Sequence, residues 1–307
     1  MKNLLLKTLV SSLALGALFG CEEAVDPGSR VTSLRVMAQR MDAPYAAPGE
    51  TVHVESLALE PAGRPVNWAW ALCENPVSTD VEGCIAQIAS DGPTQLMTGT
   101  GLDTVDVTVP ADALSSLPAA ARPSATVGVL SVACPGNIEF APGKTGYPFR
   151  CSDAESGREL ALNEFVVGLK RIAVRAMDRN QNPSIEGITF DGADWPEDLV
   201  PTVTACKSAG NDFADCDSGF AHKIRVQVTP ESFETGRTEF GEEFSEQLVV
   251  QYFATEGIFE SDARTAESPE NKWAARAQSV GRDVNLWFVA RDNRGGVTWA
   301  SRRVHDE

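Results

Sequence analysis

Apolar and polar residues alternate along short runs of this chain, and glycine- and proline-rich turns cut those runs off. Val105, Val107 and Val109 alternate with polar residues, as do Ile224, Val226 and Val228, a run stopped by Pro230. A period of two marks a strand with one buried face. Val52 and Val54 hold one parity and Leu57 and Leu59 the other, which predicts a bulge near residues 55–56. Turn clusters separate the runs: Ala47-Pro48-Gly49, Pro61-Ala62-Gly63, Asp91-Gly92-Pro93 and Arg294-Gly295-Gly296. Residues 286–290 and 297–304 flank the last of these and read as a terminal hairpin; residues 126–133 and 160–167 read as its earlier counterpart. No long stripe at helical spacing follows residue 20. The best helical candidate, residues 110–121, is limited by Pro110 and Pro118 to a turn or two. Many short strands with regular punctuation predict an all-β sandwich or barrel.

A chain of 307 residues is long enough for two domains. Residues 35–42 line up with residues 171–178 at an offset of 136. Residues 68–73 line up with 201–206 at an offset of 133, and Cys84 with Cys216 at 132. The nearly constant offset predicts two copies of one unit, each large enough for its own core. The expected domains are residues 30–167 and 168–307, joined with almost no linker. Past the second cysteine the copies diverge, and the second is expected to carry extra material around residues 248–268.

This pattern resembles the immunoglobulin-like sandwiches found in tandem on bacterial surface proteins, over about residues 30–307. The resemblance implies an all-β fold of two tandem immunoglobulin-like antiparallel β-sandwich domains. It departs from antibody domains, which bridge their two sheets with one early and one late cysteine.

The first 20 residues read as a cleaved secretory signal peptide. Lys2 and Lys7 form a basic start, and residues 8–19 form an uncharged run too short to span a bilayer. Leu18-Phe19-Gly20-Cys21 resembles the lipobox of bacterial lipoproteins. That resemblance implies lipidation of Cys21 and a membrane partner held through two or three acyl chains, enough for durable attachment. Residues 21–29 would be a short tether. Losing residues 1–20 removes two lysines and takes the net charge from −17 to −19, so an acidic body is left to its lipid for anchoring. Glu22 fits sorting to the outer membrane in the lipoprotein scheme.

Six cysteines remain besides Cys21. The aligned copies make Cys73–Cys84 and Cys206–Cys216 equivalent local pairs, leaving Cys134 with Cys151. Three disulfides fit an oxidising compartment, and no C-x-x-C occurs.

The chain has 26 Lys+Arg against 43 Asp+Glu, which argues against nucleic acid as a partner. His53, His222 and His305 are its only histidines, and none stand at metal-site spacing. Asp178-Arg179-Asn180-Gln181-Asn182 has oxygen side chains near a domain start and is similar to the calcium-binding linker of cadherins; a turn is the simpler reading. Asp217-Ser218-Gly219 resembles part of a serine-protease nucleophile loop but lacks its flanking glycines. Trp68 and Trp70 share one strand face and are expected in the core, while Trp287 and Trp299 are expected to pair across the terminal hairpin. The expectation is a non-enzymatic, lipid-anchored envelope protein without cofactor or metal, binding a protein or glycan partner. An envelope hydrolase with a carboxylate pair in a loop cleft, or a calcium-dependent adhesin, is the alternative.

Overall fold

The computed structural model describes residues 28–307 apart from 75–80, 94, 142–147, 208–211, 217, 239 and 240. Cys21, the expected signal peptide and most of the expected tether therefore lie outside the described residues, as does Asp217. The first sandwich contains β1 (Arg35–Met41), β2 (Tyr45–Ala46), β3 (Thr51–Leu59), β4 (Asn67–Glu74), α1 (Val81–Asp91), β5 (Leu96–Thr100), β6 (Thr104–Thr108), β7 (Thr126–Cys134), β8 (Asn137–Phe140), β9 (Phe149–Ser152) and β10 (Val166–Val174). The second contains β11 (Ile185–Phe190), β12 (Ala193–Asp194), β13 (Thr202–Val203), β14 (His222–Val228), β15 (Thr235–Arg237), β16 (Glu243–Ser245), β17 (Val249–Ala254), β18 (Ile258–Phe259), β19 (Ala263–Thr265), β20 (Glu270–Ala274), β21 (Asp283–Arg291) and β22 (Val297–Asp306).

In the first sandwich a β1-β3-β6 sheet faces a β2-β10-β7-β4-β5 sheet. In the second, β12-β11-β14-β20-β18 faces β13-β22-β21-β17-β19. The two strand orders match: β1-β3-β6 corresponds to β11-β14-β20, and β2-β10-β7-β4-β5 to β13-β22-β21-β17-β19. Even the short parallel pairings agree, β2 with β10 and β13 with β22. This is the strand order of an immunoglobulin-like sandwich, with Greek-key crossing between sheets.

The duplication is therefore real, but other residues carry it than the aligned ones. Residues 171–174 end the last strand of the first sandwich, whereas residues 35–41 form its first strand. The first sandwich thus runs through Val174, past the boundary expected at residue 168. Cys73 lies on β4, whose counterpart is β17, whereas Cys206 follows β13. Residues 248–254 are thus not extra material but the second copy of a central strand. Short alternating strands look alike in sequence, so a false register is easily matched.

Each core is built from the inner faces of its two sheets. Trp68, Trp70 and Leu72 on β4 pack with Val127 and Val129 on β7 and Val52 and Val54 on β3. Val250, Tyr252 and Ala254 take the equivalent places on β17, against Leu286 and Phe288. One polar group crosses the first core: Gln39 Nε2 on β1 donates to Ser56 Oγ (3.1 Å) and to Ser131 Oγ on the facing sheet (2.9 Å).

The sandwiches stack face to face. Ala38 and Leu57, on the outer face of β1 and β3, pack against Phe253, Val289, Val297 and Trp299 on the outer face of β17, β21 and β22. This explains the change of parity in β3. The strand carries no bulge at residues 55–56; Val52, Val54, Ser56 and Ala58 face inward and Leu57 faces the second sandwich. The irregularity lies on the partner strand, between Val36 and Ala38.

Three disulfides join Cys73 to Cys84, Cys134 to Cys151 and Cys206 to Cys216. The first ties α1 to β4, burying Cys84 and Ile88 in a second apolar layer outside the sheet. The second clamps the β8–β9 ribbon. Residues 110–121, the helical candidate, form successive turns instead, and the only α-helix among the described residues is α1. The helix was hidden because just two of its residues are buried; a disulfide supplies what a longer apolar stripe would. The second arm of the first terminal hairpin is Val166–Val174 rather than residues 160–167.

Candidate functional site

The chain passes from β10 to β11 through residues 175–184, and their side chains lock the junction. Arg175 donates to the carbonyl oxygens of Val174 (2.8 Å), Arg122 (3.5 Å) and Pro123. Asp178 adopts a left-handed conformation, φ +52°, and turns the chain. The backbone N–H of Ala47, and with it Arg179 at 2.8 Å, holds the Glu50 carboxyl below its ordinary pKa. Asn180 is buried and donates to Asp292 Oδ2 (2.9 Å). Asn182 donates from Nδ2 to Met41 O (2.6 Å) and accepts the Val297 N–H at Oδ1 (2.9 Å). The oxygen-rich run is thus spent on fastening one sandwich to the other. Asp292 caps its own turn by accepting from the N–H groups of Arg294 (2.8 Å) and Gly296 (2.7 Å).

Beside this junction a groove of about 530 Å³ opens between β2, the end of β10, the β15–β16 hairpin and the β21–β22 turn. Its charged lining is Arg171, Arg175, Arg237 and Arg294 against a single acid, Asp178. Arg294 is the fixed wall. It bridges Glu234 (3.0 Å) and Glu246 (3.1 Å) and lies 4.2 Å over the Phe244 ring and 5.3 Å over Tyr45. Burial, with Asp292 nearby, pushes the Glu246 carboxyl above its ordinary value. At the groove's edge Lys170 donates to Gly295 O at 2.7 Å, across the junction. Burial and the neighbouring charge of Arg291 pull its ammonium down to about 8.

The N-terminal segment docks at the other end of the second sandwich. The Val31 N–H donates to Ala254 O and the Ala254 N–H to Ser29 O, both at 2.9 Å. Arg30 faces Glu256 at 3.9 Å. Ala254 lies opposite Leu286, whereas Val249, at the other end of β17, lies opposite Arg291, next to the groove's turn. The Ser29–Val31 clamp and the groove are thus at opposite ends of β17.

The other residues singled out in sequence play structural parts. Trp68 and Trp70 stack at 5.5 Å inside the first core. Trp287 and Trp299 do not pair across the hairpin: Trp287 stands opposite Ser301 and Trp299 opposite Val289. Each histidine meets an aspartate at 2.8 Å: His53 with Asp106, His222 with Asp191 and His305 with Asp283. His222 also stacks on Phe190. Among the described residues no group of three or more His, Cys, Asp or Glu is placed to hold a metal. Sequence reading missed the four groove arginines because they come from three separate segments. The one available signal was Arg171 and Arg175 sharing parity with Ala173, arginines on a common face in an acidic chain.

No family model and no curated protein matches the chain. Among solved structures it is similar to the D0-D1 domain of intimin, at 12% identity over 88% of this chain and 98% of that one, with a TM-score of 0.22. It is also similar to a transglutaminase of red sea bream (11% identity, 91% of this chain and 32% of that one, TM-score 0.24). A third is the dimeric latent PorU of Porphyromonas gingivalis (8%, 90% and 24%, TM-score 0.22). The chain spans about a third and a quarter of the last two. Its fold assignment rests on its own strand order.

Proposed function

We propose that this chain is a lipid-anchored protein of a bacterial envelope, in which acylated Cys21 tethers two stacked sandwiches that act as a non-enzymatic binding body. The observation that carries the reading is Leu18-Phe19-Gly20-Cys21, placed after a basic, apolar leader and a few residues before the Ser29–Val31 clamp. Gly28 is seven steps along the chain from Cys21, a reach of about 25 Å at most. The body therefore sits close to the bilayer. The three disulfides support an oxidising compartment beyond the inner membrane, and Glu22 supports the outer membrane as the destination. A binding role is supported by how several ionisable groups are used: the three histidines meet aspartates on or beside neighbouring strands, and Glu164 and Glu260, held below their ordinary pKa, are bound to arginine or lysine.

Metabolic labelling with an alkyne fatty acid tests the anchor. Wild-type chain takes up label and fractionates with outer membranes, and Cys21→Ser loses the label and leaves the mature membrane pool. An unlabelled wild-type chain would overturn the assignment. Cross-linking followed by pull-down from the native envelope then identifies the partner.

A further inference from the structure

We infer that the arginine-lined groove between the sandwiches binds a short ligand carrying several carboxylate or phosphate groups. This deepens the reading of the body as a binding module and does not depend on the lipid at Cys21.

The groove gathers arginine in an acidic chain, with Glu234 and Glu246 paired to Arg294 at its wall. Acids outnumber Lys+Arg by 43 to 26 overall, yet the lining has four arginines and one aspartate. Arg171, Ala173 and Arg175 lie on alternate residues, so β10 and its continuation present both guanidinium groups to one side. Arg237 approaches from the β15–β16 hairpin on the opposite wall, where its side chain, 71% exposed, pairs with the similarly exposed Glu243 at 3.4 Å, a solvent-screened contact that an incoming anion can displace. Guanidinium forks bind carboxylates and phosphates in bidentate fashion, and those contacts are stronger than neutral hydrogen bonds.

Two of the four arginines are also held in place before any ligand arrives. Backbone carbonyls of Arg122, Pro123 and Val174 orient Arg175. Glu234, Glu246 and the rings of Phe244 and Tyr45 orient Arg294. Pre-ordered donors spare the ligand that entropy cost. Thr126, Thr238 and Asn293 add neutral hydrogen-bonding groups to the lining. A volume of about 530 Å³ falls within the range of small-ligand sites.

The surroundings limit the ligand's size and origin. A net charge of −17 repels a long polyanion wherever it extends past the groove, so a short anion fits best. The clamp of Ser29 and Val31 lies at the other end of β17, which turns the groove away from the tether and toward soluble ligands.

The test is calorimetric titration of the full chain with tetragalacturonate and, separately, with pyrophosphate. At least one should bind saturably at one site per chain. Binding should weaken about tenfold or more in R171Q/R237Q, stay unchanged in R303Q at the opposite end of β22, and weaken as salt rises from about 50 to about 500 mM. Tetragalacturonate binding assigns a sugar carboxylate and pyrophosphate binding a phosphate; either supports the site. No saturable binding of either probe, or wild-type affinity in a folded R171Q/R237Q chain, overturns it. Should that variant fail to fold, the wild-type amide resonances of Thr126, Asn293 and Gly295 decide: they shift on titration or the groove is not the site. Loss of acyl label at Cys21 is read in a separate assay, so failure of the anchor and failure of the groove are distinguishable.

Discussion

The guanidinium of Arg40, on the first sandwich, lies 4.3 Å over the indole of Trp299 on the second. Glu55, opposite Arg40 on the neighbouring strand, holds it there at 2.6 Å. Around this contact Ala38, Leu57, Val289 and Val297 exclude water from the interface, and Arg291 donates to Met37 O across it at 2.6 Å. The sandwiches are coupled through a sheet face as well as through their linker.

Removing that ring should uncouple them. Trp299→Ala is expected to cost about 1–3 kcal/mol, less than for a fully buried tryptophan because Trp299 keeps partial exposure. Arg40→Ala should cost about 0.5–1 kcal/mol, since both the cation–π contact and the ion pair are half-exposed. Urea unfolding followed by fluorescence should show one transition in wild type and a broadened or split one in W299A.

The polar bridge inside the first core is a second point of sensitivity. Gln39→Leu keeps the volume but removes the donor shared by Ser56 Oγ and Ser131 Oγ, leaving Ser131 with the Gly168 carbonyl at 3.4 Å. The expected cost is about 1–3 kcal/mol, and Q39L/S56A/S131A should recover part of it, because an unmade buried hydrogen bond costs more than one removed on both sides. Chemical denaturation of the three chains measures this.

Gly128 has no room for a methyl group. A Cβ there would collide with Cys73 Sγ and stand 3.1 Å from Leu169 Cδ1 and 3.5 Å from Cys84 Sγ. Gly128→Ala should therefore destabilise the first sandwich by about 1–3 kcal/mol through overpacking. It should also slow closure of Cys73–Cys84, seen as free thiol in unreduced protein.

Each disulfide closes a short loop, with sequence separations of 11, 17 and 10. Replacing Cys206 and Cys216 together by alanine should cost about 2–3 kcal/mol from the unfolded chain's regained freedom. The same pair of changes at Cys73 and Cys84 should also free α1, read as lost amide protection over Val81–Asp91.

Lys170 makes the junction pH-dependent. Its folded pKa is near 8, below the ordinary lysine value of 10.5, so the fold favours the neutral amine. Between those values the unfolded chain holds more protons, and stability rises with pH. Its contribution is complete above about pH 10.5 and is lost as pH falls through 8. Lys170→Met should flatten this rise by about 1–3 kcal/mol, and the difference between the two chains cancels the opposing titration of Tyr252, whose phenol burial pushes upward.

The legible part of the fold was what local pattern encodes. Alternation at Val105–Val109 and Ile224–Val228 marked strands, and the glycine-rich turn at residues 292–296 marked the final hairpin. The parity change at Leu57 was visible too, but its cause was not. An apolar residue on the second face of a strand looks the same whether the strand bulges or is covered by another domain, and only the stacked partner distinguishes them. The 11 residues of α1 show too little apolar face to stand out, since the disulfide to Cys73 and the outer face of β4 secure them.

Residue order by itself determined that this chain forms many short, turn-punctuated strands and that its six remaining cysteines fall into three pairs of near neighbours along the chain. Those properties depend on neighbours within a few residues and on side-chain parity. Only the tertiary structure decided which strands are equivalent, that the two sandwiches meet face to face, and that Arg171, Arg175, Arg237 and Arg294 share one groove. Such relations join residues from separate stretches of the chain, and they are fixed by which apolar faces remain to be covered once each sandwich has closed.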